Sequence, residues 1–200
     1  MLQKSLENIT VILASGSPRR HQFFKDLEIP FEIRLNPVDE VYPDTLKGAE
    51  ISDYLAELKA APFEGNIAPN EIVITSDTVV WHKGVSLAKA ADAQEAAQML
   101  RTLSGDWHQV ITSICFTTAG AQRTVHETTA VKFRALTETE IAHYINNYSP
   151  FDKAGAYGIQ EWLGHIGIEQ IKGTHNNVMG LPTQLLYKTL TQMTASVPTL

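Results

Sequence analysis

One cysteine in 200 residues removes two structural devices at once. Cys115 has no partner for an intrachain disulfide, and no cysteine-based zinc site can assemble around it, so the fold must rest on its hydrophobic core. A reducing compartment, by default the cytoplasm, is expected. Basic charge is also scarce, since 16 Lys and Arg stand against 22 Asp and Glu for a formal charge of −6. Binders of duplex nucleic acid draw most of their nonspecific affinity from excess Lys and Arg, so no duplex partner is expected, although a local basic cluster can still hold a small polyanion. No apolar run approaches the roughly 18 residues of a membrane span, and residues 1–8 lack the apolar core of a signal peptide, so neither a membrane nor a targeting segment is expected. The seven His show no His-Glu-x-x-His or His-x-His grouping, which excludes the common histidine metal motifs.

What is present is an ordinary globular composition, 44% hydrophobic, without repeats or low-complexity tracts, and it reads as one domain spanning residues 1–200. Residues 9–14 are a short β-branched run and predict a buried strand. Ser15-Gly16-Ser17-Pro18-Arg19-Arg20 follows, with Ser17 as N-cap and Pro18 at the first helical position of a helix running to about residue 27. Residues 31–35 predict a strand, 49–59 a helix, and 71–76 a buried strand running directly into Asp77-Thr78-Val79-Val80. Asp92 with Glu95, and Thr137 with Glu140, are capping-box pairs opening two further helices. Between them, residues 107–118 and 124–133 are Thr- and Val-rich and predict a long antiparallel hairpin. A helix over 182–193 closes the chain. Strands alternating with helices, plus one hairpin, give an α/β fold with a mixed sheet.

Three stretches carry candidate chemistry. The strand, loop and helix start at residues 14–20 outlines a phosphate cradle: a helix N-terminus offers free N–H groups, Gly16 permits close approach, and Arg19 and Arg20 add forked donors. It is not a Walker loop, and a well-capped surface helix with solvated arginines reads equally from the pattern. Asp77, read as lying at a strand end, can ligate Mg²⁺ or take a proton from water, or can simply cap a turn. Asp39 and Glu40 are candidate metal partners for it. The third stretch, residues 150–160, combines glycines, alanines and a tyrosine with Gln160, whose amide can pair with the edge of a base, or it is a plain turn. Lys59 and Lys89 lie on or just ahead of helices, and Cys115 reads as a core residue.

In order along the chain, Leu13-Ala14-Ser15-Gly16-Ser17-Pro18-Arg19-Arg20, Ser76-Asp77-Thr78-Val79-Val80 and Asp152-Lys153-Ala154-Gly155-Ala156-Tyr157-Gly158-Ile159-Gln160 resemble the signatures of the Maf nucleoside triphosphate pyrophosphatases. The resemblance spans about residues 9–190. It implies an elongated mixed sheet with two lobes around a cleft, related to the inosine triphosphate pyrophosphatases, and it allows a homodimer. It also implies hydrolysis between the α and β phosphates with a divalent cation, Mg²⁺ or Mn²⁺. Carried over by motif, Asp77 matches the proton acceptor and metal-proximal carboxylate, Glu40 an acidic residue near the metal, and Ser17, Arg19, Arg20, Lys59 and Lys89 the positions around the triphosphate. The form of the third motif resembles the branch acting on dTTP and UTP, with Arg19, Thr78 and Gln160 at the specificity positions. A non-catalytic nucleotide-binding regulator of septum formation is the alternative that the same resemblance leaves. Two departures stand out: the Pro usual after Lys89 is Ala90, and the family's Gly-Glu-Pro is Tyr148-Ser149-Pro150, which removes a carboxylate.

Overall fold

In the computed structural model, residues 2–195 are described. The order is α1 (Leu2–Ser5), β1 (Thr10–Leu13), α2 (Pro18–Asp26), β2 (Glu32–Ile33), α3 (Ala49–Ala60), β3 (Glu71–His82), β4 (Val85–Leu87), α4 (Ala93–Leu103), β5 (Trp107–Thr117), β6 (Gln122–Phe133), α5 (Glu138–Tyr148), α6 (Trp162–Gly167), β7 (Ile168–Lys172), α7 (His175–Val178) and α8 (Thr183–Ala195). One 7-stranded sheet runs β2-β1-β3-β5-β6-β7, with β4 paired to β3 off this path. The β1–β2 and β1–β3 pairs are parallel and the others antiparallel, which is the mixed sheet expected. No helix among the described residues is long and apolar enough to cross a membrane.

Side chains alternate across β3 and divide the core in two. The odd-numbered set faces α3: Thr75 Oγ1 donates to the Ala56 carbonyl at 2.6 Å, and Val79 packs on Ile51 and Leu55. Cys115 lies on this face against Ala56 and Ala60, a core residue as its pattern suggested. The even-numbered set faces α2, α4, α5 and α8. Ile72 and Ile74 join Phe24, Leu186 and Leu190, while Val80 joins Leu100, Leu103, Tyr144 and Leu163.

The feature that positions the site is a break along one edge of β3. β1 pairs with β3 only as far as Leu13 opposite Ile74, and β4 begins opposite Val80. Residues 75–79 therefore have no strand on that side, and the cleft between the two halves of the sheet opens there. The expected strand over 71–76 is in fact the first half of a 12-residue strand. Asp77 is consequently in mid-strand and not at a strand end as the sequence suggested: it pairs with Ser113 on β5, and only its parallel neighbour β1 has ended. The strand expected over 31–35 shrinks to two exposed residues, because at the sheet edge only β1 pairs with it.

Both capping pairs form. Asp92 accepts from the Glu95 N–H at 2.9 Å, and Thr137 with Glu140 closes a full capping box at the start of α5. Thr137→Ala should lower stability by about 1 kcal/mol, read from the urea midpoint, with catalytic turnover retained.

Candidate active site

The loop from β1 into α2 follows from chain chemistry. Pro18 begins the helix, as expected, since it lacks the N–H that the first turn would leave unpaired. Ser17 holds the N-cap position in extended conformation, but its side chain makes no capping bond. Ser15 Oγ instead accepts the Ser17 N–H at 3.3 Å, and the Ser17 hydroxyl is left to the cavity that this residue lines.

The two arginines diverge. Arg19 Nη1 reaches Asp152 at 3.4 Å, and its side chain keeps 31% exposure at the mouth of the cleft. Arg20 turns inward across the break in the sheet. Its Nη1 donates to the Ser76 carbonyl at 2.8 Å, its Nε to the Gly180 carbonyl at 2.9 Å, and its Nη2 to Thr78 Oγ1 at 3.3 Å. A strand edge left open by β1 is thus closed by a side chain. Burial lowers the Arg20 pKa, and the charge of Asp77 acts against it.

On the opposite face of β3, Lys59 Nζ lies 2.6 Å from Asp77 Oδ1 and 3.1 Å from Glu40 Oε1. Asp77 is 7% exposed, so its carboxylate depends on this ammonium for charge balance. Burial pushes Glu40 up, but the charge and hydrogen bond of Lys59, with Lys89 and Arg20 beyond, outweigh it and hold the carboxyl below its ordinary value. The two carboxylates that share this ammonium are the oxygen donors that suit a hard cation such as Mg²⁺ or Mn²⁺, which takes one or two protein carboxylates and fills its shell with phosphate oxygens and water. Among the described residues no group of three or more His, Cys, Asp or Glu side chains converges. Asp39 is exposed, and the carboxylates that meet Lys59 are those of Glu40 and Asp77.

A cavity of about 430 Å³ opens beside these groups. Ser17, Arg19, Arg20, Glu40, Thr78, Lys89 and Gln160 line it, whereas Lys59 and Asp77 stand behind Glu40, outside the lining. Alternation along β3 explains this: Thr78 and Val80 face the cavity, and Asp77 faces α3. Glu40 is the link, lining the cavity while touching Lys59. Lys89 reaches the wall although its following Pro is absent, because residue 89 forms an isolated bridge with Ala154 and Ala90 is buried in the core beneath.

The groups that shape the far wall take their setting from the fold and not from spacing along the chain. Tyr157 lines the cavity and its hydroxyl is 2.7 Å from His108 Nε2. Burial drives the His108 imidazole down to about 3, so it stays neutral beside that phenol. Gly180 contributes its carbonyl to Arg20 from a positive-φ backbone, 160 residues away in sequence. Neither the phenol–imidazole pair nor the carbonyl acceptor has a sequence pattern of its own.

Comparisons with known proteins agree with this architecture. A family model described as "Maf-like protein" matches residues 10–193. A Flavobacterium johnsoniae protein named dTTP/UTP pyrophosphatase is 52% identical over 193 residues, covering 96% of this chain and 100% of its own. A Bacteroides fragilis protein of the same name is 48% identical over 190 residues, covering 94% and 98%. Among solved structures, the Ham1 protein of Staphylococcus aureus aligns with a TM-score of 0.54 at 16% identity, over 92% of this chain and 99% of its own, which is a likeness of fold. With a model match across nearly its whole length and relatives at about half identity, the chain belongs to the Maf-like protein family.

Proposed function

We propose that this protein is a cytoplasmic nucleoside triphosphate pyrophosphatase that hydrolyses dTTP and UTP to the monophosphate and pyrophosphate. The observation that carries the reading is the contiguity of the Glu40–Lys59–Asp77 cluster with a cavity walled by Arg19, Lys89 and Gln160. The relatives' shared name supports the substrate pair.

In this reading the base lies against Thr78, Tyr157 and Gln160, and the triphosphate crosses the open edge of β3 toward Lys59. Gln160 offers both a donor and an acceptor, which match the carbonyl and N–H edge of uracil or thymine in one amide orientation; held in that orientation, the amide leaves a polar mismatch against cytosine. Asp77 accepts a proton from the attacking water as it closes on the α-phosphorus. Arg19, Lys59 and Lys89 stabilise the charge that gathers on the departing pyrophosphate. Glu40 and Asp77 would hold a divalent cation, which when bound supplies further neutralisation of the phosphate oxygens.

The test is a panel of UTP, dTTP, CTP, ATP, GTP and the modified 5-methyl-UTP and pseudo-UTP, with Mg²⁺ and with Mn²⁺. Pyrophosphate plus monophosphate should appear from dTTP and UTP with kcat/KM at least about tenfold above CTP. Orthophosphate as the product, a preference for GTP, or tight binding of UTP without turnover would overturn the proposal. The last result would instead favour a nucleotide-binding regulator.

A further inference from the structure

Glu161 occupies the N-cap of α6 yet makes no capping bond. Ser, Thr, Asp and Asn are the residues that favour this position, so a Glu there is held by something else. Both its carboxylate oxygens are engaged. Oε1 lies 3.0 Å from Lys153 Nζ, and Oε2 accepts from the Tyr144 hydroxyl. That phenol oxygen accepts in turn from the Gly158 N–H at 2.9 Å. At the other end, Lys153 Nζ donates to Asp152 Oδ1 at 2.7 Å, and Asp152 Oδ2 meets Arg19 at 3.4 Å. One chain of polar contacts therefore runs from the phosphate-side Arg19, through Asp152, Lys153, Glu161 and Tyr144, to the backbone two residues before Gln160.

The segment this chain ends on has little room to move. A Cβ on Gly158 would lie 2.8 Å from Glu161 Cδ and 3.2 Å from Gln160 Nε2, so the carboxylate and the amide are both packed on a bare backbone. A Cβ on Gly164 would lie 1.9 Å from the Ile159 carbonyl oxygen, so α6 presses directly on the next residue. Tyr144 itself is 0% exposed, its ring held in the core on the α5 side. Burial and the Glu161 hydrogen bond both raise the pKa of its hydroxyl, which therefore remains a donor. The carboxylate missing at Ser149 leaves no deficit at Lys153, which finds two others in Asp152 and Glu161.

We infer that Tyr144 and Glu161 are positioning residues for base selection, clamping the Gly158–Gln160 backbone from behind and tying its place to the phosphate-side charge cluster. The inference rests on the reading of Gln160 as the base-reading side chain. Neither residue faces the substrate; each acts by holding a buried N–H or ammonium that would otherwise shift the Gln160 amide.

The experiment measures kcat and KM for UTP and CTP in Tyr144→Phe, Glu161→Gln, Glu161→Ala and Gln160→Ala, with a thermal melt of each variant. Tyr144→Phe retains the ring and removes both hydrogen bonds. It should cut the UTP-over-CTP preference about tenfold through a higher KM for UTP, with kcat changed less than about threefold. Glu161→Gln, which still accepts from Tyr144, should lose less preference than Glu161→Ala. Adding Tyr144→Phe to Gln160→Ala should cost no further preference. A fall in kcat for both nucleotides with the preference intact would overturn the inference, because that is what general loosening of α5 produces. Should Tyr144→Phe fold poorly, the Gln and Ala variants at position 161 give the same comparison. If Gln160→Ala alone leaves the preference unchanged, the base-reading role fails first, a result distinct from failure of the clamp.

Discussion

Asp77→Asn lowers the rate of pyrophosphate release from UTP about a thousandfold while UTP binding stays within about threefold of the unchanged protein. The substitution is isosteric and keeps an oxygen within reach of Lys59 Nζ, now 2.6 Å from the carboxylate. It removes the negative charge and the capacity to take a proton. Lys59 keeps a second carboxylate in Glu40 at 3.1 Å, so the ammonium is not orphaned and the fold should lose little stability. Binding persists because the groups lining the cavity, Arg19, Lys89, Thr78 and Gln160, are untouched, and Glu40 and the carboxamide oxygen remain as donors toward a cation. Calorimetric titration with UTP and single-turnover release of pyrophosphate separate the two quantities. Near-normal turnover by the variant would remove Asp77 from the role of base. A joint loss of binding and turnover would instead make it a binding group.

Much of this arrangement is legible along the chain, and what is not has a common cause. Helix starts were readable because capping is a local exchange between residues three apart, as at Asp92 with Glu95 and Thr137 with Glu140. The hairpin of β5 and β6 was readable from its Thr- and Val-rich runs and short turn. The extent of β3 was not, since Asp77 and Thr78 interrupt an apolar run and look like a strand's end, while the register that continues the strand belongs to β5. Likewise, the exposed pattern of β7 carries no alternation, and it pairs only because β6 offers an edge. Motifs single out Ser17, Arg19, Arg20, Asp77 and Gln160 along the chain, but roles within a motif separate only in space. Adjacent Arg19 and Arg20 look interchangeable in sequence, yet one sits at the mouth of the cleft and the other spans a gap in the sheet. Tyr144 and Glu161 belong to no motif, because a relay through a phenol and a carboxylate constrains geometry and not spacing.

That division between the arginines sets the second large effect. Arg20→Ala should destabilise the fold by about 3 kcal/mol, since it leaves the Ser76 and Gly180 carbonyls and the Thr78 hydroxyl without the partner that bridges them. For a chain of this length that corresponds to a fall in melting temperature of roughly 6–12 °C. Turnover should drop as well, because Ser76 and Thr78 flank Asp77 on the stretch of β3 that has no strand on its β1 side, and Arg20 is what holds that stretch to α2 and to the loop before α8. Arg20→Lys distinguishes charge from geometry. A lysine restores the positive charge but not a planar fork reaching several acceptors at once, so most of the stability loss should remain. Arg19→Ala is the counterpart: its contact with Asp152 is long and partly solvated, so the melt should stay within about 1 °C while KM for UTP rises. If both alanine variants instead shift KM with unchanged melts, Arg20 is a phosphate ligand and not the closure of the strand edge. If Arg20→Lys melts like the unchanged protein, the charge alone suffices and the forked hydrogen bonding contributes little.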